Sequence, residues 1–405
     1  MSAAGVTAVV TGVGMITPLG LDAEAGWARI LAGESAARTW PDLVAEGFPV
    51  ARACRVDGLQ TADQGRRGRD LAGPAAREAL VDAGATDLPG LSGLDTSPER
   101  VGIYVGTTMG ESAAFEAAAG SGRLDLSEAG GQVFATTLAR EHGLRGPART
   151  YGTACAAGNY AIGAAARAVR AGRVDVALAG GVEPFSRLAL LGFARMRATA
   201  PDRCRPFAAG RRGMMLGEAA AFLVVEAAEH AERRGAHVRA VVGSLGLAAD
   251  AHHPTAPRED GSGMAAAMRA GLTSAGVQPA DVGWVSAHGT GTPRSDAAEA
   301  LALRSVFGAD PPPVSSVKGA IGHSLGAATA VEAVLGVLAL EARVLPPNTG
   351  LAPDGTGAGD AGAEVDPVID LDVVRDARDV PALSWVMSCG YAFGGLNSAL
   401  LLGRI

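Results

Sequence analysis

Lysine is almost absent: of the 35 basic residues in 405, one alone, Lys318, is lysine and all the others are arginine. The chain uses a planar guanidinium nearly everywhere it needs a cation, so Lys318 marks either a site that requires a compact ammonium or a chance survivor. Aromatic residues are scarce too, at 4% against 57 glycines, which implies close backbone packing rather than cores filled by large rings. The four cysteines, Cys54, Cys155, Cys204 and Cys389, are too few and too scattered for a disulfide framework, as fits a reducing cytoplasm. No uncharged apolar run reaches the roughly 18–20 residues of a membrane span. The longest, near residues 330–340, is broken by Glu332, so a soluble chain without a membrane partner is expected. There is no basic excess either: the formal net charge is -7, and without a broad basic stripe nucleic acid is excluded as a partner.

What is present is ample apolar material, 48% hydrophobic with 19% charged, enough for large cores. Short β-branched runs at residues 6–11, 101–105, 174–179, 220–225, 282–286 and 385–387 alternate with Ala-rich segments of helical length. This alternation predicts an α/β chain whose sheets are covered by helices. The opening MSAAGVTAVVTGVG lacks a basic segment before its apolar stretch and reads as a first strand rather than a signal peptide. A change in character near residues 230–240 places a boundary there, giving units 1–238 and 239–405. Residues 112–131 and 351–379, rich in Ala, Gly or Asp, are expected to be loops.

Three segments could carry chemistry. In YGTACAAGNYAIGAAARAVRAG, Cys155 immediately precedes an amphipathic Ala-rich run, so it stands at a helix N-terminus. Free N–H groups and the positive dipole end there favour thiolate and could hold an oxyanion. A small buried cysteine in a tight turn fits the same residues. In VSAHGTGTPRSD and SSVKGAIGHSLGAA, His288 and His323 each sit in a Gly-rich loop after a strand, the second five residues beyond Lys318. Taken singly, each histidine fits a structural role; with Cys155 they compose a set suited to acyl transfer through a thioester. The Gly12-x-Gly14 opening has Thr17 where a dinucleotide fingerprint needs its third glycine, so no such site is expected. The neighbours His252 and His253 would point apart if extended, and His142, His230 and His237 lie among charges, as surface residues would.

Taken in order, VVTGVGMITPLG, GTAC, DVALAGGVEP, RPF…LGEAA, AHGTGTPRSD, SVKGAIGHSLGAA, PPNTG and CGYAFGGLNSALL resemble the β-ketoacyl synthase (ketosynthase) family of the thiolase superfamily across nearly the whole chain. The resemblance implies a thiolase fold, two pseudo-twofold-related α/β halves in αβαβα layers. The first half carries the nucleophilic cysteine and the second the two histidines. It implies that Cys155 takes an acyl group from the phosphopantetheine of an acyl carrier protein, that His288 and His323 promote malonyl decarboxylation, and that Lys318 orients the His323 loop through Glu332. Thr290 and Thr292 match positions that hold the pantetheine arm, Phe393 matches a gate whose N–H joins that of Cys155 in an oxyanion hole, and Met109 matches the acyl pocket. No bound cofactor or metal is implied, the phosphopantetheine arriving on the carrier.

The resemblance also implies a decarboxylative Claisen condensation in a type II polyketide or specialised fatty-acid pathway, by a homodimer or a heterodimer with a chain-length-factor-like subunit. Three other readings fit the same residues. One is a ketosynthase-like acyltransferase that does not condense, another a non-catalytic chain-length-factor-like partner, and the third a thiolase using Cys389 as base. Departures from the family pattern are AAGRRG after Arg205-Pro206-Phe207, LGEAAA, Ala392, Leu396 and a short segment after Met109. Because acyl carrier proteins are acidic, local positive charge is expected at the docking surface. Arg66, Arg67 and Arg69 are the first candidates for it, followed by Arg203, Arg205, Arg211 and Arg212.

Overall fold

The computed structural model describes residues 6–59, 64–88, 91–121, 126–351 and 363–405. Its main sheet has ten strands: β1 (Ala8–Ile16), β2 (Val101–Gly106), β3 (Ala148–Tyr151), β4 (Val176–Glu183), β5 (Ala219–Ala227), β6 (Ala240–Ala249), β7 (Val282–Ser286), β8 (Val314–Ser315), β9 (Trp385–Ala392) and β10 (Leu396–Gly403). β1, β2 and β4 are buried along their full length, which is why they read as continuous apolar or small-residue runs rather than alternating ones. The helices that matter here are α1 (Arg67–Asp82), α2 (Ser112–Ser121), α3 (Ala157–Arg170), α4 (Arg187–Arg195), α5 (Ser262–Ala275), α6 (Pro293–Phe307) and α7 (Ala328–Ala342).

The strand order is β8-β7-β9-β10-β6-β1-β5-β4-β2-β3. From the centre outward, β1-β5-β4-β2-β3 and β6-β10-β9-β7-β8 repeat one pattern, two antiparallel pairings followed by two parallel ones. The halves meet where Val9 and Val10 of β1 pair antiparallel with Val241 and Ala240 of β6. α3 and α7 pack on each other and on strands of both halves, forming a middle layer. α1 covers the outer face of the first half, and α5, with α6 beside it, covers that of the second. The result is the expected αβαβα arrangement.

The middle layer explains two features of the sequence. At Gly158 a Cβ would lie 2.5 Å from the backbone nitrogen of Ala330, so only glycine permits α3 and α7 to approach this closely. Residues Leu325–Ala342 are long and apolar enough to cross a membrane despite Glu332, but 83% of that stretch is buried and it serves as the core helix.

The predicted strands all form, three of them running on by four or five residues. β3, β6, β8 and β10 were missed; β6 is interrupted by Gly243 and Gly246, which diluted its signal. Residues 112–131 are not a loop throughout: they hold α2 and a further turn of helix at Leu126–Ala129. Of the expected loop at 351–379, residues 352–362 lie outside the described residues, and the rest is mostly irregular. His142 and His230 are buried, not superficial; the His230 ring sits 2.6 Å from the Glu226 carboxylate and completes an internal polar cluster with Arg234. His237, His252 and His253 are exposed as expected.

Candidate active site

Cys155 lies between β3 and α3, in a single 3-10 turn (Ala154–Ala156) that precedes the helix. Ala154 takes a left-handed conformation, φ 47°, a strained backbone of the kind that positions a reactive side chain. The expected lowering of the thiol pKa does not occur: burial pushes Cys155 up to about 12, opposed by the Lys318 cation and reinforced by the buried Glu183. The helix end is close by, but desolvation of the thiolate wins. Cys155 therefore rests as a thiol, and to act as a nucleophile it would have to hand its proton to a base.

That base is at hand, since His323 Nε2 lies 3.1 Å from Cys155 Sγ. The His323 backbone is fixed by its N–H to Met215 O and by the Gly217 N–H to its own carbonyl. Gly322, with φ 74° and Cys54 pressed behind it, makes the turn into the histidine. The His288 ring stands edge-on to His323 at 5.5 Å between centroids, and Tyr391 closes its other side at 5.8 Å. Burial, then the Lys318 charge, holds both imidazoles well below their ordinary pKa, so both are neutral. Lys318 is itself buried and paired with Glu332, whose carboxyl burial pushes up to about 7 against the pull of the lysine.

Three buried carboxylates hold these loops, and sequence reasoning missed them all. Glu299 of α6 accepts the backbone N–H groups of His288 and Gly289, each at 2.8 Å. Asp296, one turn earlier, accepts those of Thr290 and Gly291 at 3.1 Å. Glu183, at the end of β4, accepts from Thr108, Met109 and Gly326, tying the Met109 loop to the turn after His323. The signal was there, in acids standing amid apolar residues in GGVEP and SDAAEA.

The site opens through a cavity of about 610 Å³ lined by Cys155, His288, His323, Thr290, Thr292 and Phe393, among others. The hydroxyls of Thr290 and Thr292 are 2.8 Å apart along one wall. Phe393 is 39% exposed and rests against Phe193 with ring centroids 5.8 Å apart. Its turn is tied to the loop after β6 by Gly394 N–H to Pro254 O, Asp250 N–H to Gly395 O and Asn397 Nδ2 to Asp250 Oδ1. The unusual Ala392 and Leu396 pack, with Met109, against the apolar cluster around Cys155.

Not every expected residue joins the site. Arg67 is spent internally on Glu218 and on the Val56 carbonyl. Arg69 is buried against Glu111 and Glu128. Arg69 is buried and Arg67 half-buried, and both are committed to internal carboxylates, which leaves neither with free charge for a partner; Arg66 is half-buried. Arg211 is likewise locked, by Asp296 and Asp366, and Arg205 pairs with Asp202. Arg203 and Arg212 remain exposed. Cys389 is fully buried in the outer core of the second half and does not line the cavity, which removes the candidate thiolase base.

Known proteins resemble this chain over nearly its whole length. Residues 7–231 match the family description "Beta-ketoacyl synthase, N-terminal domain" and residues 239–352 match "Beta-ketoacyl synthase, C-terminal domain". The chain is 36% identical to 3-oxoacyl-[acyl-carrier-protein] synthase 2 of Rhizobium meliloti (strain 1021), over 98% of each chain. The solved ishigamide ketosynthase/chain length factor superposes with TM-score 0.88 at 36% identity, over 99% of this chain and 100% of that one. A ketosynthase bound to the hexaketide and in complex with its type II PKS acyl-carrier protein (AntDE:AntF) superposes with TM-score 0.87 at 26% identity, over 99% and 100%. Two consecutive domain matches, a relative matched over 98% of both chains and a shared fold place the chain in the β-ketoacyl synthase family.

Proposed function

We propose that this β-ketoacyl synthase condenses a Cys155-bound acyl group with a malonyl thioester, both delivered on the phosphopantetheine arm of an acyl carrier protein, with no cofactor of its own. The observation that carries the reading is the 3.1 Å approach of His323 Nε2 to Cys155 Sγ with His288 edge-on beside it in one cavity. Neutral His323 accepts the thiol proton at Nε2 as sulfur attacks the incoming thioester, and returns it to the departing pantetheine thiol. The malonyl thioester then loses CO2, its C–C bonding pair becoming an enolate whose oxygen is held by imidazole N–H donors, that of His288 and that of His323 once its single proton has passed from Nδ1 to Nε2. The enolate carbon attacks the acyl carbonyl, whose oxygen is met by the N–H groups of Cys155 and Phe393. Collapse expels the Cys155 thiolate, which takes up a solvent proton.

Lys318 acts here as a positioning and electrostatic residue, Thr290 and Thr292 hold the arm, Phe393 gates it, and Met109 lines the acyl pocket. A purely structural role of the chain-length-factor kind is disfavoured because nucleophile, both histidines and lysine are all present and assembled. The partner subunit is a second copy or a ketosynthase-like chain, and the pathway is of the type II polyketide or specialised fatty-acid kind. The four unpaired, buried cysteines accord with a reducing compartment such as the cytoplasm.

The test is incubation with acyl carrier thioesters and then malonyl carrier, followed by intact mass. An acyl adduct that Cys155→Ala abolishes, and then a carrier-bound β-keto product two carbons longer, is the expected outcome. An adduct that never condenses, even with a ketosynthase-like partner added, would assign the non-condensing acyltransferase instead.

A further inference from the structure

Accessibility rises steadily along the segment that leaves β7. His288 and Thr290 are buried, Thr292 is half-buried, and Pro293 and Arg294 are exposed, yet all line the cavity that ends at Cys155. The segment is therefore a ladder from the reacting sulfur to solvent, and its last rung is a cation. Arg197 and Arg212 line the same cavity and are also exposed.

These three arginines are available for a ligand. Among the described residues Arg197 and Arg294 have no ion pair, and Arg212 has only Asp202 at 3.2 Å, a carboxylate that it shares with Arg205 at 2.8 Å. Asp250 is the single carboxylate among the lining residues, and it is already occupied by Asn397 Nδ2 and the Arg258 N–H. Three guanidinium groups thus face one mouth, two without an ion pair among the described residues and the third with a shared carboxylate, on a chain of net charge -7. The adjacent pair Arg211 and Arg212 makes the point locally, because the first is locked inside on Asp296 and Asp366 while the second faces the opening.

Resting on the ketosynthase reading, we propose that Arg212 and Arg294, assisted by Arg197, form a phosphate subsite that takes the phosphodiester at the far end of the carrier's pantetheine arm. The order of groups in the arm matches the ladder: the thioester lies against buried Cys155 and His288, the amides along the Thr290 and Thr292 hydroxyls, and the phosphate at the mouth. Guanidinium suits this end, since its planar fork pairs two N–H donors with two phosphate oxygens where an ammonium acts as a point charge. AAGRRG, the departure that follows Arg205-Pro206-Phe207, is then a feature of substrate binding rather than of loop packing.

The experiment compares one acyl group on four donors: pantetheine, phosphopantetheine, coenzyme A and the carrier. The rate of Cys155 acylation, kacyl/KM, is followed by intact mass. Wild type is expected to prefer phosphopantetheine to pantetheine by about ten- to a hundredfold, the range for one or two charge-assisted pairs, with the preference fading as salt rises. The ratio collapses toward one in Arg212→Ala/Arg294→Ala and survives in part in Arg212→Lys/Arg294→Lys. Both donors are measured on one preparation, so partial misfolding cancels from the ratio. A wild-type ratio near one, or a ratio that the double alanine variant leaves unchanged, overturns the subsite. Loss with the carrier alone would instead assign these arginines to the carrier's protein surface, and loss with coenzyme A alone would assign them to that donor; either also overturns it. If no donor acylates Cys155, it is the ketosynthase reading that fails.

Discussion

At Cys155 two influences oppose each other, and the larger sets the chemistry. Desolvation raises the thiol to about 12 while the Lys318 charge lowers it, so attack depends on a neutral His323 rather than on a standing thiolate. Both burial and Lys318 depress the His323 pKa. A depressed imidazole stays neutral on acidification until the pH falls through its folded-state value, so Cys155 acylation should be on its plateau already at pH 6.5, with its acid limb below. Removing the lysine charge together with its partner, in Lys318→Met/Glu332→Gln, avoids leaving a lone buried carboxylate. The limb should then move upward, toward the ordinary imidazole value of about 6.5, though not onto it because burial remains. Stopped-flow acylation across pH 4.5–8 measures this, and a limb that does not move would remove Lys318 from the electrostatics of the pair. At this scale much was legible, because glycine-flanked Cys155, His288 and His323 and the lone Lys318 stand out in one dimension. Arg67 and Arg69 misled because their fates rest on Glu218 and Glu111, 151 and 42 residues away in sequence, and no local pattern reports an ion pair closed by folding.

Among the elements, α6 does the positioning work for the β7 loop. Its first two turns send Asp296 and Glu299 back beneath residues 288–291, so that four backbone N–H groups converge on two carboxylates. Burial, reinforced by the repulsion of Asp296, pushes Glu299 up to about 8 against the pull of its two N–H donors. Glu299→Gln keeps the shape but faces one N–H with an amide NH2, leaving a buried donor unsatisfied at a cost of about 1–3 kcal/mol. The variant should melt earlier and, if the proposed roles hold, lose malonyl decarboxylation, assigned there to His288, more than Cys155 acylation, assigned to His323. Equal losses in the two half-reactions would show that Glu299 supports the fold without setting the histidine. Element positions were largely readable from apolar runs and glycine breaks. The roles of these acids were not, since an i, i+3 acidic pair in the first two turns of a helix looks the same whether it serves its own helix or reaches a neighbouring loop.

For the molecule as a whole, the repeat of one strand order on either side of the β1–β6 pairing invites the view of two independent halves, and the middle layer argues against it. α3 carries Cys155 at its start and α7 carries Glu332, and each helix packs on strands from both halves. Neither half can bury its inner face without the other's helix, so the expected units 1–238 and 239–405 should share one cooperative transition. The close contact at Gly158 gives the means of testing this, since a Cβ there meets Ala330 N at 2.5 Å and Thr329 Oγ1 at 2.8 Å. Gly158→Val should destabilise the fold by about 1–3 kcal/mol or more through overpacking. If the layer is shared, that loss must appear equally in both halves. Hydrogen exchange followed by mass spectrometry, across a denaturant series, should show peptides from β4 and from β9 losing protection at one common concentration, lowered together in the variant. Separate midpoints, with β4 shifted and β9 unmoved, would mean that the halves fold independently and that the shared layer forms only after each is complete.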